Sequence, residues 1–289
     1  MKILVRRAGA FGDVLDTTPV VARLRKEYPY AVIDFATDHP NAYANNPHVD
    51  HIVPSAYRMP FYDRVIDLDG SYERRLRKVP AIDCYMEDAF GDRGGDRQIV
   101  FDFNREAAPP CFHDKPWGKT IVVHPYQSAW HQRTLPRVWW GELYNMLAAR
   151  DWNIIWTGTP HDHRFPGMLY AISPRQQAAV IHAAACFVCV PSGLMSLAMA
   201  TKAPIVALCT MTPPAMMQYD RFGVRGWGFH PVAADIECAG CDQFETEARP
   251  FFPCRLGHNK CIESFDVAKV ADTVERAIHE NRDHPGDHV

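Results

Sequence analysis

The sequence predicts an α/β protein in which helices cover parallel sheets. From the first residue onward, short apolar runs alternate with segments whose apolar residues have helical spacing. That alternation is typical of strand–helix–strand units, which place their strands parallel in one sheet. The chain has 289 residues, of which 47% are hydrophobic and 22% charged, and this length suits two domains with separate cores. We therefore expect two α/β domains.

The predicted elements lie on both sides of a proline-rich break. The first part carries predicted strands at residues 3–5, 31–36, 51–54 and 62–67 and a helix at 15–28. Prolines interrupt both periods between residues 104 and 119. The second part carries predicted strands at 120–124, 153–157, 187–190 and 204–208, with helices at 138–150, 173–185, 192–201 and 266–280. The expected organisation is an N-terminal domain at 1–110, a linker at 111–118, a C-terminal domain at 119–265, and a last helix with a polar tail at 266–289.

Charge and hydropathy exclude several classes of protein. The 31 lysines and arginines nearly balance the 34 aspartates and glutamates, so the net charge of −3 gives no global attraction for nucleic acid or an anionic membrane. No apolar run is long enough to span a bilayer, and Arg6 and Arg7 follow the start too closely for the apolar part of a secretion signal. We expect a cytoplasmic protein whose nine cysteines are free or bind metal.

A glycine loop follows the first predicted strand and leads into a helix. Gly9 and Gly12 lie in this loop, and Asp13 comes directly after it. Such a loop lies at the carboxyl edge of a sheet, where open α/β folds bind ligands. Asp13 is either a residue of the helix start or a carboxylate that acts as a general base. Asp16 is either a second such carboxylate or a solvated or capping residue.

Motifs spread over nearly the whole chain carry a resemblance to a known family. They are Gly12-Asp13-Val14-Leu15-Asp16-Thr17-Thr18-Pro19, then His124-Pro125 with Arg133-Thr134-Leu135-Pro136, then Ser192-Gly193-Leu194-Met195-Ser196-Leu197-Ala198, and Cys254-Arg255-Leu256-Gly257-His258-Asn259-Lys260-Cys261. In order and spacing they resemble glycosyltransferase family nine, the lipopolysaccharide heptosyltransferases. The agreement of several motifs in register is much more specific than any one of them.

The resemblance implies a GT-B fold, in which two Rossmann-like domains with parallel sheets face each other across a cleft. It implies that the first domain binds a carbohydrate acceptor and the second a nucleotide-sugar donor. Members of the family are inverting transferases that need no metal for catalysis. Asp13 matches the position of the family's general base. The alternative from another class is a non-catalytic protein that binds a nucleotide-sugar.

A metal-independent transferase must stabilise the diphosphate leaving group with cations and helix N-termini. Arg133 stands where the family commonly has lysine, and a guanidinium can hold two phosphate oxygens at once. The N–H groups of Ser192, Gly193, Leu194 and Met195 begin a helix after an apolar strand and are candidate phosphate ligands, although Ser192 can equally be a plain N-cap. Ser128 is a further candidate for phosphate binding.

Two departures from the family pattern bear on the substrates. Pro191 replaces the family's usual aspartate, and Ser196 replaces its usual histidine, so the donor need not be ADP-heptose. The first domain is also short for the family, which indicates a reduced acceptor side and an acceptor other than the lipopolysaccharide core.

A basic region of the first domain offers two interpretations. Arg74 and Arg75 begin a run of positive charge that continues to residue 78, and residues 93–97 add more. Such a run is usually a solvated helix face. The functional alternative is a local patch for a phosphorylated acceptor or a nucleic acid, including a transferase that modifies a flipped-out hydroxymethylated base of DNA.

The cysteines fall into two groups. Cys238, Cys241, Cys254 and Cys261 lie in the segment 238–261, with the paired spacing of a tetrahedral structural zinc site. Four reduced thiols or one disulfide remain alternatives for these positions. Cys186, Cys189 and Cys209 lie in apolar strand contexts and are predicted core residues.

Overall fold

The computed structural model of the chain describes residues 1–57, 61–75, 79–104, 108–109, 115–126, 133–158, 165, 169, 172–217, 219–221, 224–241, 254 and 256–282. These residues form two compact units. The first comprises Met1–Asp102 and Ala215–Gly226, and the second comprises Phe103–Pro214 and the chain from Trp227 onward.

The strands are β1 (Lys2–Arg6), β2 (Val32–Ala36), β3 (His51–Val53), β4 (Arg64–Asp67), β5 (Thr120–His124), β6 (Asn153–Trp156), β7 (Cys186–Cys189), β8 (Ile205–Cys209), β9 (Asp220–Arg221), β10 (Val224–Arg225) and β11 (Phe229–Ala233). The helices are α1 (Phe11–Leu15), α2 (Thr18–Glu27), α3 (Ser71–Arg74), α4 (Ala81–Phe90), α5 (Arg137–Ala149), α6 (Pro174–Ala183), α7 (Gly193–Ala198), α8 (Lys260–Glu263) and α9 (Val267–Arg282).

The first unit is built on a parallel sheet with the strand order β3-β2-β1-β4. In the middle of the sheet, Val5 pairs with Phe35 on one side and Ile66 on the other. Ile3, Val5 and Phe35 are fully buried, as expected for strands that are covered on both faces. Because β1 lies between β2 and β4, the chain winds in opposite directions from β1.

The second unit is built on another parallel sheet, with the order β11-β8-β7-β5-β6. β5, β7 and β8 are buried along their whole lengths. The thiols of Cys186, Cys189 and Cys209 lie in this core, which confirms that they are core residues. Here too the winding direction reverses at the first strand, because β6 lies on one side of β5 and β7 on the other.

The helix predicted at residues 15–28 is two helices, α1 and α2. The Thr17 hydroxyl donates to the carbonyl of Val14 at 2.7 Å, and the Thr18 hydroxyl donates to that of Leu15 at 2.8 Å. These side-chain bonds compete with the regular helical pattern. Pro19 lies at the start of α2, where its missing N–H needs no partner.

Residues 215–226 differ from the predicted domain division. The sequence places them in the second domain, whereas the structure groups them with the first unit. The carboxylate of Asp220 accepts a hydrogen bond from the backbone N–H of Arg97 at 3.0 Å, and β9 pairs antiparallel with β10. Arg221 is fully buried, and this burial lowers its pKa to about 9. The local hydropathy of residues 215–226 does not indicate that the chain returns to the first unit.

Within the described part of the chain, no helix combines the length and the hydropathy needed to cross a bilayer.

A tryptophan joins the last helix region to α5 in the second unit. Trp139 is 7% exposed, and its indole N–H donates to the carbonyl of Phe265 at 2.8 Å. The two rings meet edge to face, with their centroids 6.0 Å apart.

We expect Trp139→Ala to lower the free energy of unfolding by about 3–5 kcal/mol, since a large buried ring is removed. Trp139→Phe keeps most of that volume and loses the bond to Phe265, so its cost should be smaller, about 1–3 kcal/mol. Denaturant unfolding followed by far-UV circular dichroism measures both. Val138→Ala, at an exposed site on the same helix, is the control and should change stability by less than about 0.5 kcal/mol. Equal losses for the alanine and phenylalanine variants would contradict this account.

Candidate functional site

Each unit has a crevice where its sheet reverses winding direction. In open α/β sheets, the loops at the carboxyl ends of the two diverging strands leave this space, and ligands bind there. In the first unit the crevice follows β1 and β4, and in the second it follows β5 and β7. Most of the candidate residues of the glycine loop and of the Ser-Gly motif lie at these two positions.

Asp13 lies in the first turn of α1, at the crevice of the first unit. Its Oδ2 atom accepts a hydrogen bond from the backbone N–H of Ala10 at 3.1 Å. The predicted helix-start role is therefore present. The side chain nevertheless remains 34% exposed, so this role does not exclude a second one.

Arg7 is the cation nearest to Asp13. Its guanidinium is 3.4 Å from Oδ2 of Asp13 and forms a forked pair with Glu73, at 2.9 and 3.3 Å. Burial alone would lower the pKa of Arg7, but the neighbouring Tyr85, Glu73 and Asp13 raise it above its usual value. Arg7 therefore stays charged and lies between two carboxylates.

The remaining candidate residues of the first unit are Gly9, Gly12 and Asp16, and each is closely packed or hydrogen-bonded within the unit. Gly9 has no room for a side chain, because a Cβ there would lie 2.8 Å from the guanidinium of Arg7. Gly12 is buried inside α1. Asp16 is buried rather than solvated, and the hydroxyl of Tyr219 donates to its carboxylate at 3.4 Å.

The described arginines of the basic region form ion pairs with acids of α4. Arg74 contacts Asp88 at 3.0 Å, and Arg75 contacts the same carboxylate at 2.6 Å. Arg93 contacts Glu87 at 2.9 Å. The continuation of the run at residues 76–78 lies outside the described residues. The described arginines of this region therefore have ion-pair partners within the unit.

His124 and Ser192 meet at the crevice of the second unit. The imidazole Nδ1 of His124 lies 3.0 Å from the hydroxyl of Ser192. Ser192 occupies the N-cap position of α7, but its side chain makes no capping bond. Ser192 therefore has the N-cap position without the capping bond, and its hydroxyl lies beside His124 at the end of β5.

The start of α7 offers fewer backbone donors than the sequence predicts. The N–H of Met195 already donates to the carbonyl of Ser192 at 3.0 Å. The N–H groups of Gly193 and Leu194 have no backbone or side-chain acceptor among the described residues. Ser196 is buried in the same helix, and Ser128 lies outside the described residues.

Arg133 lies close enough to Cys209, at the carboxyl end of β8, to affect that thiol electrostatically. Burial raises the pKa of Cys209 to about 12, and the positive charge of Arg133 opposes this rise. Arg133 is therefore within electrostatic range of the carboxyl end of β8.

A mostly apolar cavity of about 390 Å³ opens beside the turn that precedes α5. Its lining residues come from the chain after β5, the turn before α5 and a nearby loop: Pro125, Tyr126, Thr134, Leu135, Arg137, Trp140 and Phe165. The ring of Phe165 stacks on Trp156 with a centroid distance of 4.4 Å, and the guanidinium of Arg137 lies 5.5 Å from the ring centre of Phe165. Aromatic walls with few polar groups suit a planar ring of a ligand.

The four cysteines of the predicted zinc site are free thiols, and Cys254 and Cys261 are buried. Burial and the other cysteines raise the pKa of Cys261 to about 11. Burial also acts to raise the pKa of Cys254, but the nearby backbone N–H groups of residues 256–259 lower it overall. Among the described residues, no group of three or more His, Cys, Asp and Glu side chains has the geometry of a metal site.

Sequence reasoning missed several residues of these two regions. Arg7 was visible only as part of a basic pair, and its partner Glu73 is 66 positions away. Tyr219 approaches Asp16 from a segment 203 positions later in the chain. Phe165 lies alone between residues that are not described, and no local pattern marks it as a cavity wall. Only knowledge of the strand order could have found these residues.

Solved structures with the same fold belong to glycosyltransferases. A family 9 glycosyl transferase from Veillonella parvula has a TM-score of 0.74 and 16% identity, over 96% of this chain and 97% of that one. The E. coli ADP-heptose lipopolysaccharide heptosyltransferase II has a TM-score of 0.71 and 16% identity, over 98% of this chain and 100% of that one. The dodecameric iron-containing heptosyltransferase TibC of enterotoxigenic E. coli, in complex with ADP-D-β-D-heptose, has a TM-score of 0.75 and 16% identity, over 98% and 79%.

These matches confirm the predicted GT-B fold class and the resemblance in fold to family nine. No model of a protein family matches the chain, and no curated protein matches it in sequence.

Proposed function

We propose that the chain is an inverting glycosyltransferase that moves a sugar from a nucleotide-sugar to an acceptor hydroxyl without a catalytic metal. The observation that carries this proposal is the position of Asp13. The winding reversal of a glycosyltransferase-like fold places a partly exposed carboxylate at the mouth of the first crevice. Similar structures include enzymes whose names specify ADP-heptose as donor, which supports a nucleotide-sugar here.

The reaction assigns a distinct step to the first unit. A carboxylate oxygen of Asp13 takes the proton of the acceptor hydroxyl while that oxygen attacks the anomeric carbon. The bond from this carbon to the diphosphate breaks, and the electron pair leaves with the diphosphate. Attack opposite the leaving group inverts the configuration. Positioned proton transfer of this kind contributes about 10²- to 10⁴-fold in rate.

The second unit binds the donor in this proposal. The free N–H groups of Gly193 and Leu194 and the guanidinium of Arg133 supply positive charge for the diphosphate, and Ser128 remains a predicted ligand. The aromatic cavity next to Arg133 accepts the base or the sugar ring. Because Pro191 and Ser196 replace an acid and an imidazole, the sugar is not assigned as heptose.

The acceptor in this proposal is a carbohydrate hydroxyl. A phosphate-tracking patch for nucleic acid would need unpaired cations, whereas Arg74 and Arg75 are paired with Asp88. These ion pairs support the choice of a neutral hydroxyl over a DNA or phosphorylated acceptor in this proposal.

A structural zinc ion bound by the four cysteines is a separate part of the proposal. Their spacing suits tetrahedral thiolate coordination, and the backbone N–H groups of residues 256–259, which lower the pKa of Cys254, would favour a metal-bound thiolate there. The sulfurs would have to move together when the ion binds, since they do not have ligand geometry in this structure. Four protein ligands leave no open position, so the ion would stabilise the fold.

We expect a nucleotide-sugar to raise the melting temperature of the protein, because a ligand of the native state stabilises it. A panel of ADP-, UDP-, GDP- and CDP-sugars identifies the donor. Arg133→Met should weaken the binding of that donor about 10- to 100-fold, the typical loss for a charged hydrogen bond. Arg276→Met, at an exposed position of α9, is the matched control and should bind normally. A flat response to the whole panel would contradict donor binding.

Asp13→Asn should lower the kcat for transfer about 10²- to 10⁴-fold and leave donor binding unchanged. The amide keeps the shape of the carboxylate and can still accept the bond from Ala10, so the helix start is preserved. Initial rates with the identified donor provide the measurement, and Asp235→Asn at an exposed site serves as the control. Wild-type rates in Asp13→Asn would show that another group is the base. Donor binding without any transfer or hydrolysis by the intact protein would favour the non-catalytic alternative.

Purified protein should contain about one zinc ion per chain by elemental analysis, since a four-thiolate site is complete in one chain. Cys254→Ser should lose this ion and lower the melting temperature, whereas Cys84→Ala, a buried thiol outside the group, should retain the ion. Iron in place of zinc would keep the thiolate site but overturn the choice of metal. A metal-free wild-type protein would contradict the site.

A further inference from the structure

The two oxygens of the Asp13 carboxylate have different surroundings. Oδ2 accepts the N–H of Ala10 at 3.1 Å and lies 3.4 Å from the guanidinium of Arg7. Oδ1 has no hydrogen-bond partner among the described residues. The carboxylate is therefore held through one oxygen, and the other is left for a ligand.

The guanidinium of Arg7 is fixed from several sides. It is 2% exposed, donates to the carbonyl of Leu68 at 3.2 Å, and forms the forked pair with Glu73. The ring of Tyr85 lies against it, with the ring centre 5.4 Å away. A buried cation bonded in this way has little freedom to rotate, so it defines where Oδ2 of Asp13 can lie.

We propose that Arg7 is a positioning residue for Asp13 and that Glu73 sets the charge at this site. This inference rests on the proposed role of Asp13 as the base. Arg7 directs Oδ1 of Asp13 toward the acceptor hydroxyl by holding Oδ2. Glu73 shares the positive charge of Arg7, so that this charge does not act on Asp13 alone.

The charge balance has a clear physical reason. A cation close to a carboxylate favours its ionised form and so makes it a weaker base. If Arg7 faced Asp13 alone, orientation would come at the expense of basicity. Glu73 forms the shorter contact with Arg7, 2.9 Å against 3.4 Å, and its negative charge opposes the effect of the Arg7 cation on Asp13. Asp13 is thus oriented by a cation that a second carboxylate also contacts.

Other ionisable groups around this cluster do not replace Arg7. Asp16 is buried at the end of α1 and contacts Tyr219. Asp69, after β4, accepts the N–H of Ala8 at 2.7 Å and pairs with Arg6 at 3.1 Å. Burial raises the pKa of Tyr85 well above its usual value, so its ring stays neutral in the range where carboxylates titrate.

Gly9 has a specific purpose in this arrangement. A Cβ at this position would lie 2.8 Å from Nε and Nη2 of Arg7, whose end is held by Glu73 and Leu68. Any side chain there would push the guanidinium out of its place. Position 9 therefore requires glycine because the Arg7 guanidinium occupies the space of a side chain, and not because the backbone has a positive φ angle.

The test compares the pH dependence of kcat/KM in charge variants of the full chain, with the donor identified by thermal shift. Activity falls on the acid side as the base becomes protonated, so this limb reports the pKa of the base. Arg7→Gln removes the cation and should move the limb to higher pH by about 0.5–1 unit. Glu73→Gln removes the balancing charge and should move the limb to lower pH by a similar amount. Both should lower kcat at the plateau at least about 10-fold.

Arg23→Gln is the matched control. This arginine also bridges two carboxylates, Asp92 and Glu27, but belongs to neither crevice. The acid limb of the pH profile and the kcat of Arg23→Gln should therefore match those of the wild type. Opposite shifts for Arg7→Gln and Glu73→Gln support the proposal, because loss of a merely structural contact would not reverse sign with charge. Shifts in one direction, or unshifted limbs, overturn it. Glu73→Gln is isosteric and 42% exposed, so it decides the matter even if Arg7→Gln does not fold.

Asp13→Asn distinguishes the role of Asp13 as the base from the positioning role of Arg7. If this variant loses transfer but the charge variants show no opposite shifts, the role of Asp13 stands and the positioning role of Arg7 fails. If it keeps transfer and the acid limb, Asp13 is not the base, and the inference about Arg7 falls with it. In every case, unchanged donor binding by thermal shift shows that the second unit is intact.

Discussion

The constraint on which the rest of the structure depends is the reversal of winding direction at the first strand of each sheet. Parallel strands end at the same edge, and right-handed crossovers send the chain to opposite sides once the direction changes. A crevice must then remain beside β1 in the first unit and beside β5 in the second. Asp13 and the His124–Ser192 pair lie at these crevices because each follows one of the strands that border them.

Most elements could be predicted because strands that are covered on both faces are continuous apolar runs. The predicted strand at residues 120–124 matches β5 in full, and the last helix differs by two residues at its end. The boundary between α1 and α2 could not be predicted, because it depends on the hydroxyls of Thr17 and Thr18 competing for carbonyls. The return of residues 215–226 to the first unit is a tertiary effect with no local signal.

The candidate site was predictable to the extent that it is local. Asp13 follows a glycine loop at a strand end, and this order alone indicates a ligand-facing carboxylate. The control of that carboxylate by Arg7 and Glu73 requires strand β4 to lie next to β1, which no spacing reveals. The basic run is a second example of a tertiary effect. Its charges are adjacent in sequence, but the sequence does not show that Arg74 and Arg75 share Asp88 of the neighbouring helix.

The distribution of charge also bears on how the proposed reaction divides between the two units. In the first unit, two guanidinium groups near the crevice form ion pairs with carboxylates: Arg6 pairs with Asp69, and Arg7 pairs with Glu73. An anionic group arriving there would have to break an existing ion pair and leave a carboxylate without its cation, at a cost that a neutral hydroxyl avoids. In the proposed reaction, stabilisation of the diphosphate therefore falls to the second unit, with Arg133 and the backbone donors of α7. The first unit, whose guanidinium groups at this edge already have carboxylate partners, is proposed to bind a neutral acceptor and to remove one proton.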